Sequence, residues 1–364
     1  MHVGMSTIFQ NTDRARTDRE VYANELRLAD MAEGLGFESV WGVEHHFTDY
    51  TMCPDVVQFL TYMAGRTKKA KLGTMVIVLP WHDPIRVAEE VSMLDHISNG
   101  RLILGLGRGL GRVEFDGFRV PMDESRARFV EAAQMVLDGL EKGYCEFEGV
   151  HYQQPKREIR PEPFQTFRGR TYAAAVSPES TRIMAELGVG LLVIPQKPWP
   201  EVEKELADYH AKYEELNNEP PPPPLMAGWT FCDENADRAH EMAYKYIGGY
   251  YQTVMDHYEM TAGHFKQTKG YEYYEKVTEK INEYGARDMR EFFMNLQIYG
   301  TPEQCYERIV SIHNRVGQNG FIGVFSYAGM PYDEAERNMR LFADRVMPEL
   351  KRFKPEILTP ALSA

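Results

Sequence analysis

The sequence predicts a single α/β domain, a parallel (β/α)8 TIM barrel, and three observations carry that prediction. Eight short apolar runs are spread along the chain, segments of helical periodicity separate them, and the runs are apolar throughout rather than alternating with polar residues. Strands apolar on both faces belong to a parallel sheet covered by helices, and eight β/α units in 364 residues close such a sheet into a barrel.

The expected strands, in order, are "HVGMSTIF" (2–9), "ESVWGV" (38–43), "KLGTMVIVL" (71–79), "RLILGLG" (101–107), "TYAAAV" (171–176), "VGLLVI" (189–194), "LMAGWTF" (225–231) and "GFIGVFSY" (320–327). Between them, Val87, Ala88, Val91 and Leu94 recur at helical spacing, as do Ala335, Met339, Phe342, Val346 and Leu350 after the last strand. Two stretches exceed an ordinary barrel connection. Residues 143–165 read as a small excursion of strand and loop after the fourth strand. Residues 256–300, between strands seven and eight, are rich in Tyr, Lys and Glu and read as helical without a barrel role. Long insertions in compact domains are commonly functional or mobile, so this one is a candidate active-site lid on a barrel domain spanning 1–364. "EPPPPPL" (219–225) reads as a stiff polyproline spacer entering strand seven.

Composition narrows the partners. The chain holds 41 basic and 54 acidic side chains, a formal net charge of −13, which argues against nucleic acid or an anionic membrane and for a small-molecule ligand. Four scattered cysteines form no C-x-x-C pair, so neither a disulfide framework nor a cysteine zinc site is indicated and a reducing cytoplasm is expected. No apolar run has the length of a membrane span.

Barrel chemistry gathers at the C-terminal ends of the strands, where the loops converge on one face. "VEHHF" closes strand two and puts Glu44, His45 and His46 there. An imidazole beside a carboxylate suits proton transfer, while the alternatives are a packed, hydrogen-bonded strand end or a metal site. No H-E-x-x-H spacing supports a metal, and none is expected. Because successive side chains of a strand point to opposite faces, only one of the two histidines can face the barrel mouth. "LGLGRGLGR" (104–112) closes strand four without meeting G-x-G-x-x-G or a P-loop. It is either a plain glycine-rich turn or a place where a flat ligand approaches the backbone and Arg108 pairs with its phosphate. After strand five, Ser177 can cap a helix that starts at Pro178, and Ser180 and Thr181 can add donors to an anion at that helix end. "GTPEQC" (300–305) carries a capping box of Thr301 and Gln304, read as purely structural.

Taken together, "GFESVWGVEHHFTDY", "GRTKKAKLGTMVIVLPWHDPIR", "LDHISNGRLILGLGRGL", "DESRARF", "QTKGYEYY" and "YGTPEQC" resemble, in order and spacing, the bacterial luciferase-like flavin monooxygenases, including the luciferase alpha chain and its non-luminous relatives. The resemblance runs from the first strand to the last helix. It implies a barrel that binds reduced FMN, supplied by a separate flavin reductase, and reacts it with O2 to give a flavin hydroperoxide that oxygenates a small, apolar substrate. A homodimer is implied as well. By position, His45 matches the catalytic histidine, and Glu44 a residue close to the flavin. Met75 and Val76 match a pair often joined by a non-prolyl cis peptide under the isoalloxazine. Arg108 and Leu110 match flavin contacts, and Val176, Ser177 and Ser180 match the phosphate site. Gly107 stands where luciferase has a reactive cysteine, which implies open space near the flavin's reactive carbon. Val176 replaces an acidic residue, and "IPQKPWP" (194–200) replaces a tryptophan-containing stretch, so the implied substrate is not a long-chain aldehyde. The alternatives within this resemblance are F420-dependent hydride transfer and a non-catalytic flavin-binding subunit.

Overall fold

The structure, a computed structural model, describes residues 1–175 and 177–354. Each of the eight apolar runs supplies one barrel strand: β1 (His2–Thr7), β2 (Ser39–Gly42), β3 (Lys71–Thr74), β4 (Leu102–Gly107), β5 (Thr171–Ala174), β6 (Gly190–Val193), β7 (Leu225–Cys232) and β8 (Gly320–Val324). Neighbours in sequence pair in parallel, and β8 returns to β1 in the register His2↔Gly320, which closes the barrel. The connecting helices lie outside and cover the apolar outer face, so both sides of every strand are dry.

The barrel interior is filled by large side chains set against glycines. Trp41 is fully buried among Ile103, Tyr172, Leu225 and Ile322, with its indole nitrogen donating to Ser39 Oγ at 2.7 Å. A Cβ on Gly73 would stand 2.2 Å from the Trp41 ring, and one on Gly4 would stand 3.0 Å from its Nε1. The glycines in β1 and β3, the strands on either side of β2, are therefore what lets one indole plug the barrel. Met75 belongs to the same interior cluster, and it also lines the cavity at the barrel mouth.

The third run departs from a continuous strand. It breaks after Thr74, the Met75–Val76 peptide is cis, and the chain resumes as Ile77–Val78 paired with Leu106 and Gly107 of β4. The first and last runs stop short of their expected ends, at Thr7 and Val324, and the backbone turns to positive φ beyond them at Phe9 (48°) and Ala328 (51°).

The 143–165 excursion is an antiparallel hairpin of Tyr144–Glu148 and Gln153–Glu158. The longer insertion follows the helix Ala236–His257. It contains a short turn of helix, His264–Gln267, and a second helix, Glu272–Asn295, interrupted at Gly285 (φ 83°, ψ 156°). Met260, Phe265, Tyr271, Tyr274 and Ile281 form a separate small core within it, so its tyrosines pack. The expectation that this stretch supplies no sheet element needs correction. Ile298–Gly300 pairs in parallel with Thr230–Cys232 as an extra strand on the upper end of β7. Three residues are too few to show a strand periodicity, which is why the pattern hid it.

Candidate active site

A cavity of about 210 Å3 opens at the C-terminal ends of the strands. Of the residues singled out by sequence, Glu44, His45, Met75, Val76, Gly107, Arg108, Leu110 and Ser180 all line it, although they come from the ends of four different strands. Ser177 stands just behind, at the N-cap of the helix Pro178–Glu186, where its Oγ accepts from the Ser180 backbone N–H at 3.3 Å and lies 2.8 Å from Ser180 Oγ. Val176 lies outside the described residues.

One end of the cavity gathers hydrogen-bond donors. Ser180 and the N-terminus of its helix contribute hydroxyl and amide donors. Arg108 and Arg126 add two guanidinium groups, both of which donate to the Gly270 carbonyl of the insertion, at 2.8 and 3.0 Å. Arg108 lies over the Tyr271 ring at 4.1 Å, while Arg126 also pairs with Glu179. The Tyr271 hydroxyl donates to the Gly109 carbonyl at 3.0 Å, so the insertion is seated directly against the glycine-rich loop after β4. Arg126 is a functional candidate that sequence reasoning missed. It sat inside the quoted "DESRARF", where one arginine among two could not be singled out.

At the other side, the three residues after β2 divide their roles by direction. His46 is buried, and its Nε2 lies 3.0 Å from Glu44 Oε1. His82 approaches the same oxygen at 2.7 Å, and the Val78 backbone N–H donates to Glu44 Oε2 at 2.9 Å. Burial would raise the Glu44 pKa, but these hydrogen bonds and the His82 charge outweigh it and hold the carboxyl below its ordinary range. His82 is opposed by burial and raised on balance by Glu44. Glu44 thus ties the ends of β2 and β3 together from beneath the cavity wall.

His45 points the other way, and its Nδ1 lies 2.9 Å from Glu114 Oε1. The same oxygen accepts the His46 backbone N–H at 2.9 Å, which fixes the carboxylate against the strand end. Glu114 has no solvent-exposed side-chain surface. Burial pushes its pKa up, yet His45 and His257 together hold it down to about 2, so the carboxylate is ionised at neutral pH. An ionised carboxylate only accepts, so Nδ1 of His45 carries the hydrogen and Nε2 is the remaining proton site. Behind Glu114, His257 brings Nε2 to 3.6 Å of Glu114 Oε2, its Nδ1 meets Thr48 Oγ1 at 3.0 Å, and Tyr50 stacks on its ring at 4.3 Å. Burial lowers the His257 pKa. A Cβ on Gly111 would stand 2.4 Å from Glu114 Oε2, so only glycine at this helix N-cap allows the carboxylate its place.

The His45, Glu114 and His257 ligand atoms lie within 4.8 Å of one another, a grouping that no local spacing in the sequence announces. Within this grouping Glu114 Oε1 is hydrogen-bonded, while Glu114 Oε2 and His257 Nε2 are buried without a hydrogen-bond partner among the described residues. Gly107 calls for a correction. The space expected at this position is taken by Val76, whose Cγ2 would be 2.2 Å from a Cβ on Gly107. The break at residues 75–76 brings the valine across from β3 to β4, so the volume a side chain on β4 would occupy is filled from the neighbouring strand.

A barrel with guanidinium groups and a helix N-terminus at one end of its mouth cavity, a histidine–carboxylate pair at the other and an insertion seated over it has the architecture of an enzyme site, and the family follows. Residues 1–319 match the luciferase-like monooxygenase family, and the chain belongs to it. It is similar to the alkanal monooxygenase alpha chain of Photorhabdus luminescens, at 28% identity over 343 residues, covering 93% of this chain and 95% of that one. Among solved structures it is similar to the monooxygenase RslO1 from Streptomyces bottropensis, with a TM-score of 0.80 and 26% identity, covering 96% and 99% of the two chains. It also shares its fold with the oxygenating constituent of 3,6-diketocamphane monooxygenase from Pseudomonas putida, solved in complex with FMN, at a TM-score of 0.72 and 16% identity, covering 96% and 99%. Among the described residues, no helix is long and apolar enough to cross a membrane.

Proposed function

We propose that this protein is an FMN-dependent monooxygenase, one component of a pair whose other member is a flavin reductase, and that it oxygenates a small organic substrate. The observation that carries this reading is a single cavity with Arg108, Arg126 and the Ser180 helix end on one side and the His45–Glu114 pair on the other. The donor set fits a phosphate, because two guanidinium groups and a helix N-terminus converge there. Reduced FMN, when bound, supplies the electrons with which O2 is activated.

The residues of the chain then divide the work. Arg108, Arg126 and Ser180 take the phosphate in place of the Gly270 carbonyl and Glu179, which satisfy the guanidinium groups here. Met75, Val76 and Leu110 form the apolar wall against which a flat ring rests. His45, oriented by Glu114 through Nδ1, holds or moves a proton at Nε2. The insertion covers the mouth and excludes water. A homodimer and a cytoplasmic location belong to the same proposal.

Equilibrium binding of reduced FMN and reduced riboflavin tests the cofactor. FMN should bind more tightly, and Arg108→Ala should weaken it by tenfold or more, since a hydrogen bond to a charged group contributes about 1.5–3 kcal/mol. Equal binding of the two flavins, unchanged by the substitution, would reject the phosphate site. Oxygenated product formed from substrate, reduced FMN and O2 separates the monooxygenase from F420-dependent hydride transfer and from a non-catalytic subunit, which form none; oxygen uptake alone does not, because free reduced FMN also reacts with O2.

A further inference from the structure

A second cavity, of about 160 Å3, adjoins the first and shares with it His45, Met75, Gln196 and Tyr258 among others. Its remaining wall mixes aromatic and aliphatic side chains, the aromatic ones including Trp229, Tyr250, Tyr251 and Phe293. Trp229 of β7 stands 4.3 Å from Tyr250 and 5.6 Å from Phe293, and Tyr251 stands 5.4 Å from Phe293, centroid to centroid. Two polar atoms of this wall are buried without a protein partner, the Trp229 indole N–H and the Tyr251 hydroxyl. Both residues are more than nine-tenths buried. By contrast, the hydroxyl of Tyr250 is already paired with that of Tyr50.

These features select a ligand. An apolar cavity of about 150 Å3 accommodates one benzene ring, so this chamber is of the size that seats a single six-membered ring. Aromatic walls favour a ring, which stacks or meets their edges, over a flexible chain that loses rotamer freedom on binding. A buried donor left unpaired is costly and an indole N–H can only donate, so a ligand that brings an acceptor oxygen is favoured. We propose that the chamber bounded by Trp229, Tyr251 and Phe293 is the substrate subsite and that its substrate is a compact single-ring ketone whose carbonyl oxygen accepts from Trp229 and Tyr251. This rests on reading the adjoining cavity as the FMN site.

Calorimetric titration with three probes of eight carbons each tests it: acetophenone, ethylbenzene and octan-2-one, on the full chain with and without FMN. Acetophenone should bind saturably and at least tenfold more tightly than octan-2-one. Tyr251→Phe and Trp229→Phe should each weaken acetophenone about tenfold, while Tyr251→Phe should change ethylbenzene less than twofold. That contrast does not depend on how well a variant folds, because both probes are measured on the same preparation. Octan-2-one binding as tightly as acetophenone overturns the ring preference. Parallel losses for acetophenone and ethylbenzene in Tyr251→Phe overturn the carbonyl contact. FMN binding without acetophenone binding overturns this assignment and leaves the proposed function standing. Acetophenone binding without FMN binding overturns the function and leaves the chamber a ring site.

Discussion

Replacing Glu114 by glutamine removes a charge and little else. The amide oxygen can still accept from His45 Nδ1 and the His46 N–H, which both reach Oε1 at 2.9 Å, and the new NH2 would face His257 Nε2, now 3.6 Å from Oε2. The magnitude follows from the carboxylate's own titration. Its pKa falls from 4.5 to about 2 despite burial. At 1.36 kcal/mol per unit, that is roughly 3 kcal/mol of net preference for the ionised form. The preference comes from the imidazoles around it, His45 first, so removing the charge removes that interaction. Glu114→Gln should therefore lower oxygenated product per flavin oxidised by about 10²-fold, with FMN affinity unchanged within twofold. If His45 acts through this pair, the double variant Glu114→Gln/His45→Ala should be no worse than His45→Ala alone, because residues that act as a unit are not additive. The assay is product yield and H2O2 release in single turnover of reduced FMN with O2. Full additivity, or a Glu114→Gln protein with normal coupling, would refute the argument and leave Glu114 as a structural anchor of the β2 end.

His45→Ala should reduce coupled product formation by about 10²–10⁴-fold, the range of general acid–base help, while His46→Ala should chiefly lower the unfolding midpoint by breaking the bond to buried Glu44; comparing denaturation curves and product yields for the two separates the roles. Arg126→Ala should weaken FMN but leave riboflavin binding unchanged, as read by fluorescence titration. Glu25 is buried, and burial raises its pKa to about 7 against the hydrogen bond from Ser326 Oγ at 2.6 Å. With the folded value above the unfolded one, its contribution is present in full below pH 4.5 and lost as pH rises through 7, up to about 3 kcal/mol. Urea unfolding at pH 5, 7 and 9 should show that fall, and Glu25→Leu should shrink it. Limited proteolysis within 256–300 should slow when FMN and a ring ketone bind; equal rates in both states would make the insertion a fixed cover.

The barrel was legible because parallel strands buried on both faces write themselves as continuous apolar runs, and all eight did so. What periodicity could not carry was a strand of three residues, Ile298–Gly300, or a break inside a run that stays apolar, as at Met75–Val76. The site was legible only where its residues cluster in sequence at strand ends: "EHH", "TMV", "GLGRGL" and "SPES". Glu114 and His257 lie 69 and 212 positions beyond His45 on helices whose other residues are ordinary, and only folding brings the three together. Gly107 was misread for a related reason. A missing side chain was taken as open space, when a residue from the adjacent strand occupies the volume.

That exchange of volume between Gly107 and Val76 restricts how this mouth can vary. With 2.2 Å between the Val76 methyl and the place a Cβ would take, no side chain can be added at 107 while valine keeps its position. A Gly107→Cys variant should lose stability on its own and recover it when Val76 is cut back to alanine or glycine. Two positions from different strands thus behave as one steric unit, and a lineage that introduces a thiol at 107 has to shift or trim the side chain at 76 with it.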